Sequence, residues 1–387
     1  MSYPDPAVER AMKVQEVILR AASGQIWWWQ AAEILGISDR QMRRWRERYE
    51  AEGYDGLFDR RRQPPSPKRV PLATVERVLQ LYRTTYYDFN VRHFHELLVE
   101  RHDVELSYSW VKTALQTAGL VPRRKKRGPH RRRRERRPLP GMLLHLDASR
   151  HAWLPGGQHD LVSVSDDATN EVYYARLVRE EDTREVLRAL AAVVGTHGVF
   201  CALYTDRASH FTHTPTAGQR KAQTQVERAL QQRGIELILA HSPQARGRKE
   251  RLYGTLQGRW PQELRLRGIR TLEAANAWLT DHGIAAFNQR FRVAPAQAGT
   301  AFVPTTADLG RVFSVQYERT VNNANTVQVG RRFFQIGATA LRCHFAKCRV
   351  TVHEHLDATW SITYGPHTIG RYDAAGHPLP TSSAPAA

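Results

Sequence analysis

Met142-Leu-Leu-His-Leu-Asp147 is a short apolar run that ends in a carboxylate, and Val199-Phe-Cys-Ala-Leu-Tyr-Thr205 is a second, followed at once by Asp206. Short apolar runs bounded by turn residues read as buried strands. Between them lie Leu161-Val-Ser-Val164 and Val172-Tyr-Tyr-Ala-Arg-Leu-Val178, joined by the turn Asp166-Asp-Ala-Thr-Asn170. A helix is expected over about 182–197, and another around Gln219–Arg233 leads into the short strand Ile235–Leu239. A last helix starts near Pro243 and carries Glu250. The order is β-β-β-α-β-α-β-α, a mixed α/β domain.

Three antiparallel strands followed by alternating helix and strand is the ribonuclease-H-like plan. In that plan the first and fourth strands are neighbours. Asp147 and Asp206 then converge at adjacent strand ends, and Glu250 reaches in from its helix. Three carboxylates at one point repel each other and are costly without a cation. Hard oxygen donors favour Mg²⁺ or Mn²⁺. Two such ions can activate a water or a 3′-hydroxyl and stabilise the leaving oxygen in phosphoryl transfer. Other acids have adequate structural explanations. Asp166 and Asp167 sit in a hairpin turn, where Asp is favoured. Glu180, Glu181 and Asp182 precede a helix, whose dipole suits acids.

Outward from this core, the charge is informative. Of 387 residues, 57 are basic and 38 acidic, a net +19. Eight of the basic residues are Lys and 49 are Arg. Arg forks onto phosphate through two donors, so the expected partner is a polyanion, with nucleic acid the obvious one. More than half of the excess falls between Arg123 and Arg137, where 11 basic residues accompany one acid, Glu135. Pro122 and Pro138 bracket this run, which reads as a linker over 122–138 that lies along a phosphate backbone. Its candidate contacts are Arg123, Arg124, Lys125, Lys126, Arg127, Arg131, Arg132, Arg133 and Arg134. A second spacer, Arg60 to Pro71, is Pro-rich and extended. A tail over 378–387 of Pro, Ser and Ala reads as disordered.

The linkers leave four folded pieces, at 6–58, 72–121, 139–300 and 312–373. In the first, Ala31-Ala-Glu-Ile-Leu-Gly-Ile-Ser38 followed by Asp39-Arg-Gln-Met-Arg-Arg-Trp45 has a helix-turn-helix cadence. Gly36 suits the turn, and Ser38 with Gln41 makes a capping box. Met42, Trp45 and Tyr49 should face inward, leaving Arg40, Gln41, Arg43, Arg44 and Arg48 to reach base edges and phosphates. A plain helical bundle with a solvated basic face is the alternative. Trp27-Trp28-Trp29 places three rings in the preceding helix; some belong to the core, and an outward ring has no assigned role. The second piece reads as another helical DNA-binding module through Leu72–Tyr82, Phe89–Arg101 and Ser107–Ala118, with Lys112 and Arg123 as its nearby basic groups. The last piece reads as all-β, with strands at Thr326–Val329, Phe333–Ile336, Cys348–Val352 and Trp360–Tyr364. It is expected to form a small β barrel, with Arg331, Arg332, Arg342, Lys347 and Arg349 available to phosphates or with a packing role instead.

Cys201, Cys343 and Cys348 are too few and too irregular for a disulfide framework, which suits a reducing compartment. Zinc at Cys343 and Cys348 with His344, His353 and His355 matches no common finger spacing, so a β core with surface His is preferred. No apolar stretch is long enough to span a membrane.

Three segments carry a family resemblance. They are His145-Leu-Asp-Ala-Ser-Arg-His-Ala-Trp153, Tyr204-Thr-Asp-Arg-Ala-Ser-His-Phe211, and His241-Ser-Pro-Gln-Ala-Arg-Gly-Arg-Lys-Glu-Arg251 with Gly254-Thr-Leu-Gln257. In these the chain resembles a DDE transposase of the retroviral-integrase superfamily, and more closely the ISNCY-type insertion-sequence transposases of bacteria. The likeness runs from the helix-turn-helix near 31 to Tyr364-Gly-Pro-His367. It implies a catalytic, metal-holding triad of Asp147, Asp206 and Glu250, with two Mg²⁺ or Mn²⁺ ions. It implies double-stranded DNA as substrate, both the element's terminal inverted repeats and a target. It implies 3′-end hydrolysis followed by strand transfer, by a homo-oligomer of at least two copies on paired ends. A bacterial, cytoplasmic, nucleoid-associated protein without membrane contact is expected.

Two departures matter. The interval from Asp206 to Glu250 is 44 residues, longer than in the best-known integrase motif, which fits an insertion around His213–Ala222. Many integrases carry Lys or Arg seven residues after the Glu; here that position is Gln257. Contact to the terminal phosphate would then fall to Lys249, Arg251 or Arg259. One competing function is a catalytically silent, sequence-specific DNA-binding regulator derived from a transposase. The other is a nuclease acting on RNA–DNA hybrids, against which the helix-turn-helix speaks.

Overall fold

A computed structural model describes residues 5–58, 69–123, 135–213, 222–240 and 247–380. The chain divides into two compact units, Met1–Arg77 and Val78–Ala387.

The first unit holds α1 (Asp5–Ala22), α2 (Trp28–Leu35) and α3 (Asp39–Glu52). Gly36 ends α2 at φ +63°, a left-handed turn that glycine enters without a Cβ penalty. Ser38 caps α3 by accepting the Gln41 N–H. The reciprocal Gln41 bond expected of a capping box is not formed, because the Gln41 side chain points to solvent. Met42 is buried against Val14, Val17, Ile18, Ala31 and Ala32, with Trp45 and Tyr49 packed at the edge.

The second unit begins with the end of α4 (Leu72–Thr84), then α5 (Val91–His102) and α6 (Tyr108–Thr117). Asn90 and Ser107 cap the last two helices, and Val78, Phe94, Leu98, Val111 and Leu115 make the core between them. The central domain follows as β1 (Leu144–Leu154), β2 (Gly157–Asp166), β3 (Val172–Val178), α7 (Thr183–His197), β4 (Ala202–Thr205), α8 (Gln225–Gln232), β5 (Glu236–Leu239), α9 (Gly247–Gln257), α10 (Trp260–Leu266), α11 (Leu272–Trp278) and α12 (Ile284–Phe291). The sheet order is β3-β2-β1-β4-β5. The first three strands are antiparallel, while β4 runs parallel to both β1 and β5. This is the ribonuclease-H-like order that the sequence predicts.

Strand residues alternate between faces, and the two faces have different covers. Leu144, Leu146, Val162, Val164 and Leu203 face α7 and α8, meeting Val186, Leu190, Val193, Val226 and Leu230. Leu161, Val172, Ala175 and Leu177 face the other way, under Leu252, Leu256, Trp260, Leu264 and Phe287 of α9, α10 and α12.

The helical module of α4–α6 is docked on that second cover. Glu96 of α5 takes both guanidinium branches of Arg259 at 2.8 and 3.1 Å. His93 meets Glu263 at 2.7 Å, Arg265 meets Asp88 at 2.7 Å, and Asn90 donates to the Gly258 carbonyl.

After α13 (Leu309–Val312) come β6 (Val315–Thr320), β7 (Thr326–Val329), β8 (Arg332–Gln335), β9 (Arg349–Glu354), β10 (Trp360–Tyr364) and β11 (His367–Tyr372). The expected barrel is not closed among the described residues. A four-stranded sheet, β11-β10-β9-β6, lies beside a separate β7-β8 hairpin. The two share one core through Val327, Phe334, Val352, Trp360 and Tyr372, which closes the space by side-chain packing instead of strand pairing. Arg228 of α8 ties this domain to the central one by donating to the Val312 and Ser314 carbonyls.

Candidate active site and nucleic-acid interface

The β1–β4 register decides where two of the acids lie. Leu144 pairs with Leu203 and His145 with Tyr204. Carried on by two residues, the same register sets Asp147 level with Asp206, just past the end of β4. With Leu144, Leu146 and Leu203 turned to α7 and α8, alternation turns His145, Asp147, Tyr204 and Asp206 to the opposite face. The His145 and Tyr204 rings meet there with centroids 5.2 Å apart. Both acids are half-buried and use one carboxylate oxygen locally: Asp147 accepts the Ala148 N–H at 3.0 Å and Asp206 the Ala208 N–H at 2.9 Å.

The helix α9 crosses the same face and is fixed there by polar anchors. Lys249 is buried, and its Nζ donates to the Ser163 carbonyl and Oγ, the Ser165 Oγ and the His145 carbonyl, at 2.9 to 3.3 Å. The Tyr253 hydroxyl donates to the Asp147 carbonyl. The Gln257 amide donates to the Ser149 Oγ at 2.9 Å. Lys249, Tyr253 and Gln257 recur every four residues and so form one helix face. Glu250 lies beside that face, exposed, one residue past Lys249.

Asp147 is thus on the strand β1, Asp206 directly follows the end of its neighbour β4, and Glu250 is on the helix α9 that crosses β1. All-oxygen donors of this kind suit Mg²⁺ or Mn²⁺. Among the described residues, no three His, Cys, Asp or Glu side chains are drawn into a metal-holding cluster.

Two of the expected DNA contacts are buried. Lys249 is 4% exposed, and its ammonium donates to the β1–β2 backbone and hydroxyls. Arg259 is likewise buried and held by Glu96. Arg251 is exposed, with its Nε donating to the Gly247 carbonyl. Arg123 is exposed, and so are Arg40, Gln41, Arg43, Arg44 and Arg48 of α3. Arg124, Lys125, Lys126, Arg127, Arg131, Arg132, Arg133 and Arg134 lie outside the described residues, as does the Ser-Pro-Gln-Ala turn. Trp28 is half-buried with the Arg46 guanidinium 4.7 Å from its ring centre, whereas Trp27 and Trp29 are exposed.

The sequence places Asp166 and Asp167 alike in a hairpin turn. Asp166 does fill that role, accepting the Thr169 N–H and Oγ–H and the Gly141 N–H. Asp167 is fully buried and serves other segments. It accepts from His145 Nε2 at 2.9 Å, from the Arg137 N–H at 2.8 Å and from the Arg248 guanidinium. Burial pushes its carboxyl up, but the His145 bond, the Arg137 N–H and the nearby positive charge outweigh this and hold it well below the usual carboxylate range.

The Helix-turn-helix domain family matches residues 15–65, and the Homeodomain-like domain family matches 41–115. The chain is 29% identical to a protein designated transposase y4bF of Sinorhizobium fredii (strain NBRC 101917 / NGR234), over 93% of this chain and 80% of that one. It is 26% identical to the transposase for insertion sequence IS1202 of Streptococcus pneumoniae, over 78% of this chain and 72% of that one. Among solved structures, the HTLV-2 integrase catalytic core domain in complex with magnesium aligns at 16% identity and a TM-score of 0.29, over 37% of this chain and 88% of that one. Along nearly its whole length the chain is thus similar to transposases, and it combines a helix-turn-helix unit with a β3-β2-β1-β4-β5 core.

Proposed function

We propose that this protein binds the terminal inverted repeats of its own insertion sequence, hydrolyses their 3′ ends and transfers them into target DNA. The observation that supports this reading is the pairing of β1 with β4: its register, carried on by two residues, brings Asp147 level with Asp206, and α9 with Glu250 crosses β1 nearby. Those three carboxylates are the residues that would hold two Mg²⁺ or Mn²⁺ ions. Bound there, the ions supply charge neutralisation for the attacking and leaving oxygens of an in-line displacement.

The chain's own residues do the rest. In hydrolysis a water oxygen bonds to the phosphorus at the element's end, the bond from phosphorus to the 3′-oxygen breaks, and the 3′-oxygen takes up a proton. In strand transfer that 3′-hydroxyl attacks a target phosphorus and displaces a target 3′-oxygen. Asp147 takes its position from β1, and Asp206 from the end of the hydrogen-bonded neighbour β4. Glu250 takes its position from α9, anchored by Lys249, Tyr253 and Gln257. Arg40, Gln41, Arg43, Arg44 and Arg48 read the repeat, with the basic run from Arg123 onward following the backbone. At least two copies act on paired ends. The silent-regulator reading drew on Gln257, and the hydrogen bond to Ser149 gives that residue a structural use.

The test is a cleavage and joining assay with labelled duplexes from the flanks of the gene, in Mg²⁺ and in EDTA. Wild type is expected to nick and join ends only with metal. Asp147→Asn, Asp206→Asn and Glu250→Gln are expected to lose both steps while binding the ends as well as wild type does. An active Asp206→Asn variant sinks the triad. Tight end binding by wild type without any cleavage moves the conclusion to the regulator.

A further inference from the structure

We propose that Asp167 is a positioning residue for the catalytic acids, a single carboxylate that sets α9 against β1 and so fixes Glu250 relative to Asp147. This rests on the reading of those acids as the metal holders. The Asp167 side chain accepts from His145, two residues before Asp147 on β1, and from Arg248, two residues before Glu250 on α9. Its other oxygen accepts the Arg137 N–H, and its main-chain carbonyl accepts from the Arg136 side chain at 2.8 Å. Three segments distant in sequence therefore meet on one buried side chain: the end of the basic linker, the first catalytic strand and the catalytic helix.

The turn itself does not need this residue. Asp166 satisfies the hairpin through Thr169 and Gly141, whereas the Asp167 side chain bonds to Arg137, His145 and Arg248, all outside the turn. The other α9 anchors, Lys249, Tyr253 and Gln257, press the helix onto β1 and β2 from one side. Arg248 is the anchor in the first turn, beside Glu250, and it fixes the helix at the end that matters for that acid. A carboxylate offers about four acceptor sites in fixed directions. Asn offers one oxygen in their place and turns an N–H₂ toward donors. His145 and Arg248 share one Asp167 oxygen, so Asp167→Asn preserves volume while turning its N–H₂ either toward the Arg137 N–H or toward His145 and Arg248 together, and either way it removes the negative charge that holds the Arg248 guanidinium.

The experiment uses the full chain. Mn²⁺ affinity is measured from the electron paramagnetic resonance signal of free Mn²⁺, alongside end binding, metal-free thermal unfolding and the metal dependence of 3′-end nicking. Asp167→Asn is expected to weaken Mn²⁺ binding about 10- to 100-fold, as is usual for residues that orient ligands. Nicking should recover in part at high metal concentration, and end binding should stay unchanged. Should Asp167→Asn fail to fold, Arg248→Ala gives the same test from the partly exposed partner, and Arg248→Lys should restore part of the Mn²⁺ affinity. Asp147→Asn serves as the reference. If it leaves Mn²⁺ binding intact, the reading of the acids fails. If it abolishes binding while folded Asp167→Asn and Arg248→Ala bind Mn²⁺ as wild type does, the positioning role is overturned and Asp167 only stabilises the fold.

Discussion

Lys249 shows how burial changes what a basic residue does. It sits in Arg-Gly-Arg-Lys-Glu-Arg, where the sequence offers it as a phosphate contact, yet its ammonium donates to four acceptors under α9. A buried donor cannot be removed cheaply, since its acceptors lose water as well as their partner. Lys249→Ala should lower unfolding stability by about 3 kcal/mol, read by urea or thermal unfolding. It should leave the salt dependence of DNA binding unchanged, whereas loss of a true phosphate contact reduces the slope by about 0.9. A reduced slope with unaltered stability would return Lys249 to the DNA surface. The helix phase was in fact legible: Leu252, Tyr253 and Leu256 mark the buried face, and counting back three or four places lands on Lys249. The strands that carry or precede Asp147 and Asp206 were legible because each begins as a short apolar run, and such runs make strands. Asp167 was not, because two adjacent turn aspartates look alike until the fold brings His145 and Arg248 to only one of them.

Between elements, the contact of α5 with α10 is ionic and largely buried, which gives it a pH signature. Burial pushes the Glu263 carboxyl up, but hydrogen bonds from His93 and Arg267, with their positive charge, outweigh it and hold the group down at about 2. Arg101 also faces Glu263 at 3.8 Å, and on the neighbouring pair Glu96 faces Arg259 and Arg290. A carboxyl with a depressed folded pKa stabilises the fold above its ordinary value of 4.5 and loses that contribution as pH falls toward about 2. The melting temperature should therefore drop through this window, and Glu263→Gln should show a shallower drop while melting lower at neutral pH. Parallel curves for the two proteins would remove Glu263 from the docking contact. Sequence predicted the three helices but treated the module as separate, because partners so far apart in the chain, such as Glu96 and Arg259, leave no local pattern. The barrel failed for a related reason: strand identity is local, but closure depends on which distant edges pair, and here β7 and β8 pair with each other.

At the scale of the whole molecule, a net charge of +19 makes some salt-sensitive affinity for DNA unavoidable, so affinity alone cannot show which surface reads sequence. The two kinds of basic residue differ in a measurable way. The α3 set, Arg40, Gln41, Arg43, Arg44 and Arg48, is exposed on a capped helix that follows a fixed turn, the geometry of base-edge readout. The Arg123–Arg137 run carries 11 basic residues beside one acid and reads from its sequence as a linker. A side chain that grips only phosphate weakens all sequences equally, with a slope change of about 0.9 per contact. One that grips a base edge costs about 1–3 kcal/mol on the cognate repeat and much less on random duplex. Single Ala substitutions at Arg40, Gln41, Arg43, Arg44 and Arg48 are therefore expected to include some that shrink the ratio of repeat to random binding. Substituting linker arginines should lower both affinities together and leave the ratio intact. Competition binding across a salt series separates the two. If every α3 substitution preserved the ratio and only changed the slope, α3 would be a phosphate clamp, and repeat recognition would have to be sought in the α4–α6 module.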